Sequence, residues 1–181
     1  VGEALAVVRD ELVVTNVARE GRLKDGLSNI SDVDLVLIDC PPSLDQLTIN
    51  ALVAAQRVLI VSQSKQWSAN GLAHLLGTIS AVRAHYNPSL SIAGIIVNLH
   101  DGRTLAGAHW LGELKVAADS YGISLLGSHG HDVEGAAAPG PVPRRVVISD
   151  AVEASMGLDE YPGDNAELLG LYDSYLKEVM A

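Results

Sequence analysis

Residues 33–44, VDLVLIDCPPSL, contain a short apolar run that ends in one acidic residue and a Cys-Pro-Pro turn. The run 35–38 is continuously apolar, which is typical of a parallel strand that is buried on both faces. Such a strand would deliver Asp39 to the carboxyl edge of the sheet, where open α/β sheets bind ligands. A carboxylate there suits a hydrated Mg²⁺ beside a nucleotide phosphate. The alternative is that Asp39 only caps the following turn or helix.

Outward from this stretch, the sequence alternates between apolar strands and amphipathic helices. Strands are predicted at residues 11–15, 57–62, 92–97 and 123–126. Helices are predicted at residues 44–55, 68–86, 104–121 and from Asp164 onward, with weak helical spacing at 23–30. The last helix begins with the capping-box spacing Asp164 and Glu167, and its predicted core positions are Leu168, Leu171, Tyr172, Tyr175 and Val179. The alternation predicts an α/β fold, a doubly wound, mostly parallel sheet with helices on both faces.

The residues after Asp39 form a more specific motif. Asp39-Cys40-Pro41-Pro42-Ser43 leads into a helix that contains Asn50-Ala51-Leu52 and then into the strand at 57–61. This order resembles the Walker B region of the ParA/MinD-type partitioning ATPases, and the likeness covers most of residues 30–180. It implies a P-loop NTPase-like fold, truncated at the N-terminus, with residues 1–181 forming a single domain that corresponds to the C-terminal two-thirds of such a protein.

One element of that family is missing from this sequence. ParA-like ATPases hold the phosphates with a glycine-rich loop that carries lysine, whereas residues 1–30 contain only Gly2, Gly21 and Gly26, which form no such pattern. Either an N-terminal segment lies outside this sequence, or the chain is a natural fragment that has lost catalysis. The resemblance implies an ATP hydrolase, and the missing loop leaves that activity open.

The resemblance also implies roles for individual side chains, with ATP and Mg²⁺ as cofactors. Asp39 would be the catalytic carboxylate that holds Mg²⁺ through water, and Ser43 would lie near the γ-phosphate. Asn98 would contact the adenine edge, for which a carboxamide offers a donor and an acceptor. The alternative for Asn98 is a strand-end turn, which Asn favours. Pro143 and Arg144 would lie against the base, or would instead form a rigid turn.

Composition sets the outer limits of the function. A chain of 181 residues that is 48% hydrophobic can bury one sizeable core. It contains neither a signal pattern nor an apolar stretch of the ~20 residues that span a bilayer, so we expect a cytoplasmic protein. The single Cys40 is expected to be a small buried residue rather than a nucleophile.

The net charge of −10 means that any nucleic-acid binding would need a local basic patch. The candidate residues are Arg57, Lys65, Arg83, Arg103, Arg144 and Arg145. The family binds DNA without sequence preference through basic residues. The resemblance makes Arg103, Arg144 and Arg145 the DNA-binding candidates of this sequence. Scattered, solvated charges are the alternative interpretation.

Residues 127–143, GSHGHDVEGAAAPGPVP, differ in composition from the rest of the sequence. Their glycines, prolines and small side chains predict a flexible inserted loop. His129, His131 and Asp132 invite a metal-binding interpretation, but no fourth ligand is identifiable and a polar loop is favoured.

The leading hypothesis from the resemblance is an ATPase of plasmid or chromosome partitioning. ATP would bridge a homodimer, the dimer would bind non-specific DNA, and a ParB-type centromere-binding protein would stimulate hydrolysis. The protein would then be nucleoid-associated and would not bind membranes, since its C-terminal tail is not a basic amphipathic helix. The alternative is a non-catalytic interaction module that has lost the phosphate-binding loop.

Overall fold

The computed structural model describes residues 3–15, 17–63, 69–127 and 140–180. The chain divides into two compact units. Unit 1 comprises Val1–Val58 and Ala69–Ser91, and unit 2 comprises Leu59–Ser68 and Ile92–Ala181. None of the helices in the described ranges is long and apolar enough to cross a membrane.

Unit 1 is helical. Its helices are α1 (Glu3–Val14), α2 (Arg22–Leu27), α3 (Gln46–Ala54) and α4 (Ala69–His85), and a short 3-10 helix, Arg19–Gly21, precedes α2. Helix α3 begins where the Asp45 side chain accepts hydrogen bonds from the backbone N–H groups of Leu47 and Thr48, at 3.0 and 3.4 Å. The predicted helices at 44–55 and 68–86 are confirmed to within two residues at each end.

A buried asparagine joins the end of α3 to the segment that follows α4. Asn87 is 5% exposed, and its Nδ2 donates to the carbonyl oxygens of Leu52 at 3.1 Å and Ala55 at 2.7 Å. These are C-terminal carbonyls of α3, which have no partner within their own helix. Asn87 therefore supplies the C-terminal cap of α3 from a distant part of the sequence.

The strand predicted at residues 11–15 is wrong, because these residues form the last turn of α1 and the link after it. Leu5, Val8 and Leu12 follow the i, i+3, i+7 spacing of a helix, and they line one cavity of about 570 Å³ in unit 1. Residues 11–15 contain only the end of that helical pattern, and their β-branched residues favour a strand when they are considered alone.

The buried strand predicted at residues 35–38 is also wrong for the described structure. No described residue pairs with this run, which has no assigned strand. Leu35 is 44% exposed, Val36 46% and Leu37 81%. A parallel strand buries both faces only when neighbouring strands and covering helices are supplied to it, and the described part of the chain supplies neither here.

Unit 2 contains most of the sheet. Strand β1 (Arg57–Gln63) begins in unit 1 and pairs with β2 (Ser91–Asn98), and the helices of unit 2 are α5 (Leu105–Ser120), α6 (Val146–Glu153) and α7 (Ala166–Met180). The predictions of β1, β2 and α5 are confirmed to within about one residue. The predicted strand at 123–126 is reduced to a parallel bridge between Ile95 and Leu125.

A glycine allows that bridge to form. Gly94 has φ of +151°, and a Cβ atom at this position would lie 2.5 Å from the Leu126 side chain and 2.9 Å from the Ser124 carbonyl oxygen. Only glycine permits this backbone conformation together with so close an approach. Residues 124–126 can therefore pack directly on β2.

Helix α7 covers the core of unit 2. Leu126, Val142 and Tyr175 form a buried cluster, and four half-buried residues pack against it: Ile96, Ile148, Leu171 and Val179. The core positions predicted for α7 are confirmed except for Tyr172, which is 41% exposed. Of the predicted capping box, Oδ1 of Asp164 accepts from the Ala166 N–H at 3.4 Å, whereas Glu167 pairs with Arg145.

Candidate functional site

The best-formed polar edge of unit 2 lies where β2 ends. A segment around Pro143 runs parallel to this end and is tied to it by three backbone hydrogen bonds. The Val142 N–H donates to the Val97 carbonyl at 2.8 Å, the His100 N–H donates to the Val142 carbonyl at 2.9 Å, and the Arg144 N–H donates to the His100 carbonyl at 3.0 Å. The predicted residues Asn98, Pro143 and Arg144 are thereby brought to one edge.

The turn after β2 has an unusual backbone conformation. Leu99 has φ of +53°, in the left-handed region that non-glycine residues rarely adopt. The Leu99 N–H donates to Oδ1 of Asn98 at 2.8 Å, which fixes the Asn98 carboxamide against its own backbone. This contact shows the strand-end role expected of Asn, while the side-chain NH₂ and the second lone pair of Oδ1 can still serve a ligand.

Three arginines lie at the same end of β2. Arg103 follows His100 by three residues, and Arg144 and Arg145 follow Pro143, which bridges to His100. All three are exposed. Arg103 pairs with Asp101 and Arg145 with Glu167, each at 3.4 Å. Exposed pairs of this kind are weak, so they leave the guanidinium groups available to an anionic partner.

Asp39 and Ser43 belong to unit 1. Asp39 is exposed and lies outside any helix or strand, next to the run 35–38, which has no assigned strand. The Ser43 hydroxyl donates to Oδ2 of Asp45 at 2.9 Å, so it braces the N-cap of α3. Burial raises the pKa of Asp45, but the hydrogen bonds from Ser43, Thr48 and Leu47 outweigh it and hold that pKa below its ordinary value.

Cys40 is exposed, so the expectation of a buried cysteine is wrong. The cause is the same as for the preceding run, with which no described strand pairs. Desolvation, with smaller effects from the negative charges of Asp39 and Asp45, raises the pKa of the Cys40 thiol. A raised pKa disfavours the reactive thiolate, so the prediction that Cys40 is not a nucleophile stands as a prediction with this support.

Within the described ranges, no group of three or more His, Cys, Asp or Glu residues could hold a metal ion. Asp39 offers a single exposed carboxylate, which fits a Mg²⁺ that keeps most of its own waters but not an all-protein cage. The candidates His129, His131 and Asp132 lie outside the described residues, as do Lys65 and most of the predicted loop at 127–143.

The sequence did not single out Val142 or His100, although their backbone groups build the edge. Val142 is 1% exposed and lies between Pro141 and Pro143, neither of which can donate a backbone hydrogen bond. In the sequence, the single apolar residue between two prolines was the signal that could have identified a short strand-like contact.

Comparisons with known proteins agree on one family. A sequence profile described as an AAA domain matches residues 2–92, half of the chain. The sporulation initiation inhibitor protein Soj of Bacillus subtilis is 42% identical over 112 residues, which are 61% of this chain and 44% of that protein. The chromosome-partitioning ATPase Soj of Treponema pallidum is 31% identical over 164 residues, 90% of this chain and 58% of that protein.

Solved structures show the same fold. Cobyrinic acid a,c-diamide synthase from Mycobacterium smegmatis, with bound ADP and magnesium, matches with a TM-score of 0.64 and 34% identity, over 78% of this chain and 52% of that one. Apo McdA from Cyanothece matches with a TM-score of 0.71 over 96% of this chain and 65% of that one, but at 19% identity it speaks for the fold alone.

The fold and its neighbours define an α/β domain of the P-loop NTPase kind, with a parallel sheet flanked by helices, as the sequence predicted. The chain belongs to the AAA-domain family, among the ParA/MinD-type partitioning ATPases. It spans about half of the length of these relatives, 44% of the Bacillus protein and 58% of the Treponema protein.

Proposed function

We propose that the chain supplies the base-contacting edge of an adenine-nucleotide site in a ParA-type chromosome-partitioning ATPase. The observation that supports the proposal is the backbone hydrogen bonding between residues 97–100 and residues 142–144, the two segments that carry Asn98, Pro143 and Arg144. An amide that can donate and accept, a proline face and a guanidinium plane are groups that together suit a flat heteroaromatic base.

In this proposal, Asn98 contacts the adenine edge and Pro143 with Arg144 lies against the ring. Asp39 holds Mg²⁺ through water, and Ser43 lies near the γ-phosphate. Bound Mg²⁺ would supply charge stabilisation to the phosphates. The structure of a 34%-identical protein with ADP and magnesium supports the choice of ATP and Mg²⁺.

The test is a titration of the isotope-labelled chain with Mg·ATP, followed by NMR. Because the sequence carries no lysine-bearing glycine-rich loop, we expect weak binding, with a Kd of about 1 mM, corresponding to about 4 kcal/mol. Shifts should concentrate at residues 97–100 and 142–145, and Asn98→Ala or Arg144→Ala should weaken binding about tenfold. Arg83→Ala in unit 1 is the matched control and should change nothing.

Absence of any shift at 10-fold higher nucleotide would overturn the proposal. The alternative, a non-catalytic interaction module, would then be favoured by the exposed apolar run at residues 35–38. ATP turnover by the chain is expected to be undetectable when it is assayed alone, because the sequence has no lysine loop to position the phosphates.

The proposal extends to the partners that the family resemblance implies. A nucleotide-bound homodimer would bind non-specific DNA through Arg103, Arg144 and Arg145, and a ParB-type protein would stimulate hydrolysis, in the cytoplasm and on the nucleoid. Replacing all three arginines by alanine should abolish the salt-dependent binding of a random duplex measured by fluorescence anisotropy. Binding that persists at the wild-type level would contradict the assignment.

A further inference from the structure

One face of helix α7 makes side-chain hydrogen bonds to the backbone at two positions, Gly140 and Gly127. The Tyr175 hydroxyl donates a hydrogen bond to the Gly140 carbonyl, and Oε2 of Glu178 accepts one from the Gly127 N–H at 3.1 Å. Tyr175 and Glu178 are three residues apart, so their side chains lie on the same face of the helix. One helix face therefore holds both of these backbone positions.

Residues close to Gly127 and Gly140 in sequence are hydrogen-bonded to β2. Leu126, which precedes Gly127, donates its N–H to the Ile95 carbonyl at 2.9 Å. Val142, two residues after Gly140, donates its N–H to the Val97 carbonyl of β2, accepts from the N–H of His100, and lies with Tyr175 in the buried cluster. Tyr175 thus holds the segment at 140–144 twice, through its hydroxyl at Gly140 and through its ring at Val142.

Pro141 and Pro143 increase the importance of the hydrogen bond between Tyr175 and Gly140. Pro141 and Pro143 have no backbone N–H, so among residues 141–144 only Val142 and Arg144 can donate backbone hydrogen bonds, to Val97 of β2 and to His100 just after it. The hydrogen bond from Tyr175 to Gly140 is consequently a large part of what anchors the start of the segment.

The Tyr175 hydroxyl remains a donor throughout the physiological pH range. Burial, assisted by the negative charge of Glu178, raises the pKa of Tyr175 to about 12. The phenol is therefore protonated wherever the protein functions.

We infer that Tyr175 and Glu178 are positioning residues for the base-contacting segment Pro143–Arg144, acting through Gly140 and Gly127 rather than by touching the nucleotide. The inference rests on the proposed function for its consequence on nucleotide selectivity. Its structural part, that α7 sets the position of residues 140–144, stands without it.

The first experiment measures hydrogen exchange by NMR in the full chain without nucleotide. Tyr175→Phe keeps the buried ring and removes only the hydroxyl, so the amides of Val142 and Arg144 should exchange at least about threefold faster, while those of α5 stay at their wild-type rates. Tyr172→Phe makes the same chemical change one turn earlier on a half-exposed side chain and is the matched control.

Unchanged exchange at Val142 and Arg144 in Tyr175→Phe would overturn the inference. Equal acceleration across α5 would overturn it too, because the hydroxyl would then stabilise unit 2 as a whole rather than this segment. Glu178→Gln, which keeps a carbonyl acceptor for Gly127, should exchange more slowly at Leu126 and Gly127 than Glu178→Ala.

The second experiment measures the ratio of the affinities for Mg·ATP and Mg·GTP. If the segment contacts the base, Tyr175→Phe should reduce this ratio about threefold or more, since a displaced Pro143–Arg144 distinguishes the bases less well, and Tyr172→Phe should keep it. A ratio unchanged in Tyr175→Phe, with binding intact, would overturn the positioning role. If no variant and no wild-type chain binds either nucleotide, the proposed function fails, and the hydrogen-exchange result still decides the role of α7.

Discussion

Residues 33–40 and residues 140–144 both contain residues for which the sequence predicted ligand contacts, and the structure treats them in opposite ways. The first has the stronger apolar pattern, yet no described strand pairs with it, and Leu37 is 81% exposed. The second is short and rich in proline, yet it pairs with β2 and buries Val142 to 1% exposure. The difference shows that burial of a strand depends on the partners that reach it more than on its own hydrophobicity.

The largest effect is expected at Gly94, where residues 124–126 pack on β2. Gly94→Ala adds a methyl group 2.5 Å from the Leu126 side chain, at a φ of +151°. Overpacking and backbone strain together should lower the free energy of unfolding of unit 2 by about 3 kcal/mol. Urea unfolding followed by circular dichroism measures this change.

The matched control is Gly112→Ala on α5, where a new Cβ meets no atom within 4 Å. It should leave stability unchanged or raise it by up to ~1 kcal/mol, because alanine favours helix. If Gly94→Ala were as mild as this control, the close packing of 124–126 on β2 would be wrong, and with it the contrast between the two regions.

A second prediction concerns whether unit 1 is well packed apart from residues 33–40. Asn87→Ala removes the donor shared by the carbonyls of Leu52 and Ala55 and should cost about 2 kcal/mol. Ser89→Ala, which removes only the 2.9 Å bond to Oδ1 of Asn87, should cost less than half as much. Equal and small losses in both variants would mean that the cap of α3 is not formed in solution.

A third, smaller effect is expected at Asp45, which lies between residues 33–44 and helix α3. Asp45→Ala removes the N-cap of α3 and should cost about 1 kcal/mol at neutral pH. Because the folded-state pKa of Asp45 is lowered, its contribution is present above the ordinary pKa near ~4 and is lost as the pH falls through the folded value.

Asp45→Asn separates the charge from the hydrogen bond, since asparagine also caps helices. The stability difference between wild type and this variant should shrink on acidification below the ordinary aspartate pKa. A difference that is constant from pH 7 to pH 3 would show that the cap carries no titrating charge.

The sequence predicted those elements that satisfy themselves locally. Helices α3, α4 and α5 were recognised from helical spacing and strands β1 and β2 from apolar runs, to within one or two residues. The pairing of Val142 with β2 was missed, because it joins segments more than 40 residues apart in sequence, and helix α6 was not predicted. The site residues Asn98 and Arg144 came from the family motif, and no local periodicity could place them on one edge.

The smallest expected effect tests residues 33–40 directly. Leu37→Ala should change the free energy of unfolding by no more than about 0.5 kcal/mol, because a side chain that is 81% exposed loses little apolar contact. Leu90→Ala in the same unit, at 0% exposure, makes the same substitution in the core and should cost about 3 kcal/mol. A loss above about 2 kcal/mol in Leu37→Ala would mean that residues 35–38 are packed in solution. The apolar pattern alone would then have identified a buried strand, and the contrast with residues 140–144 would be lost.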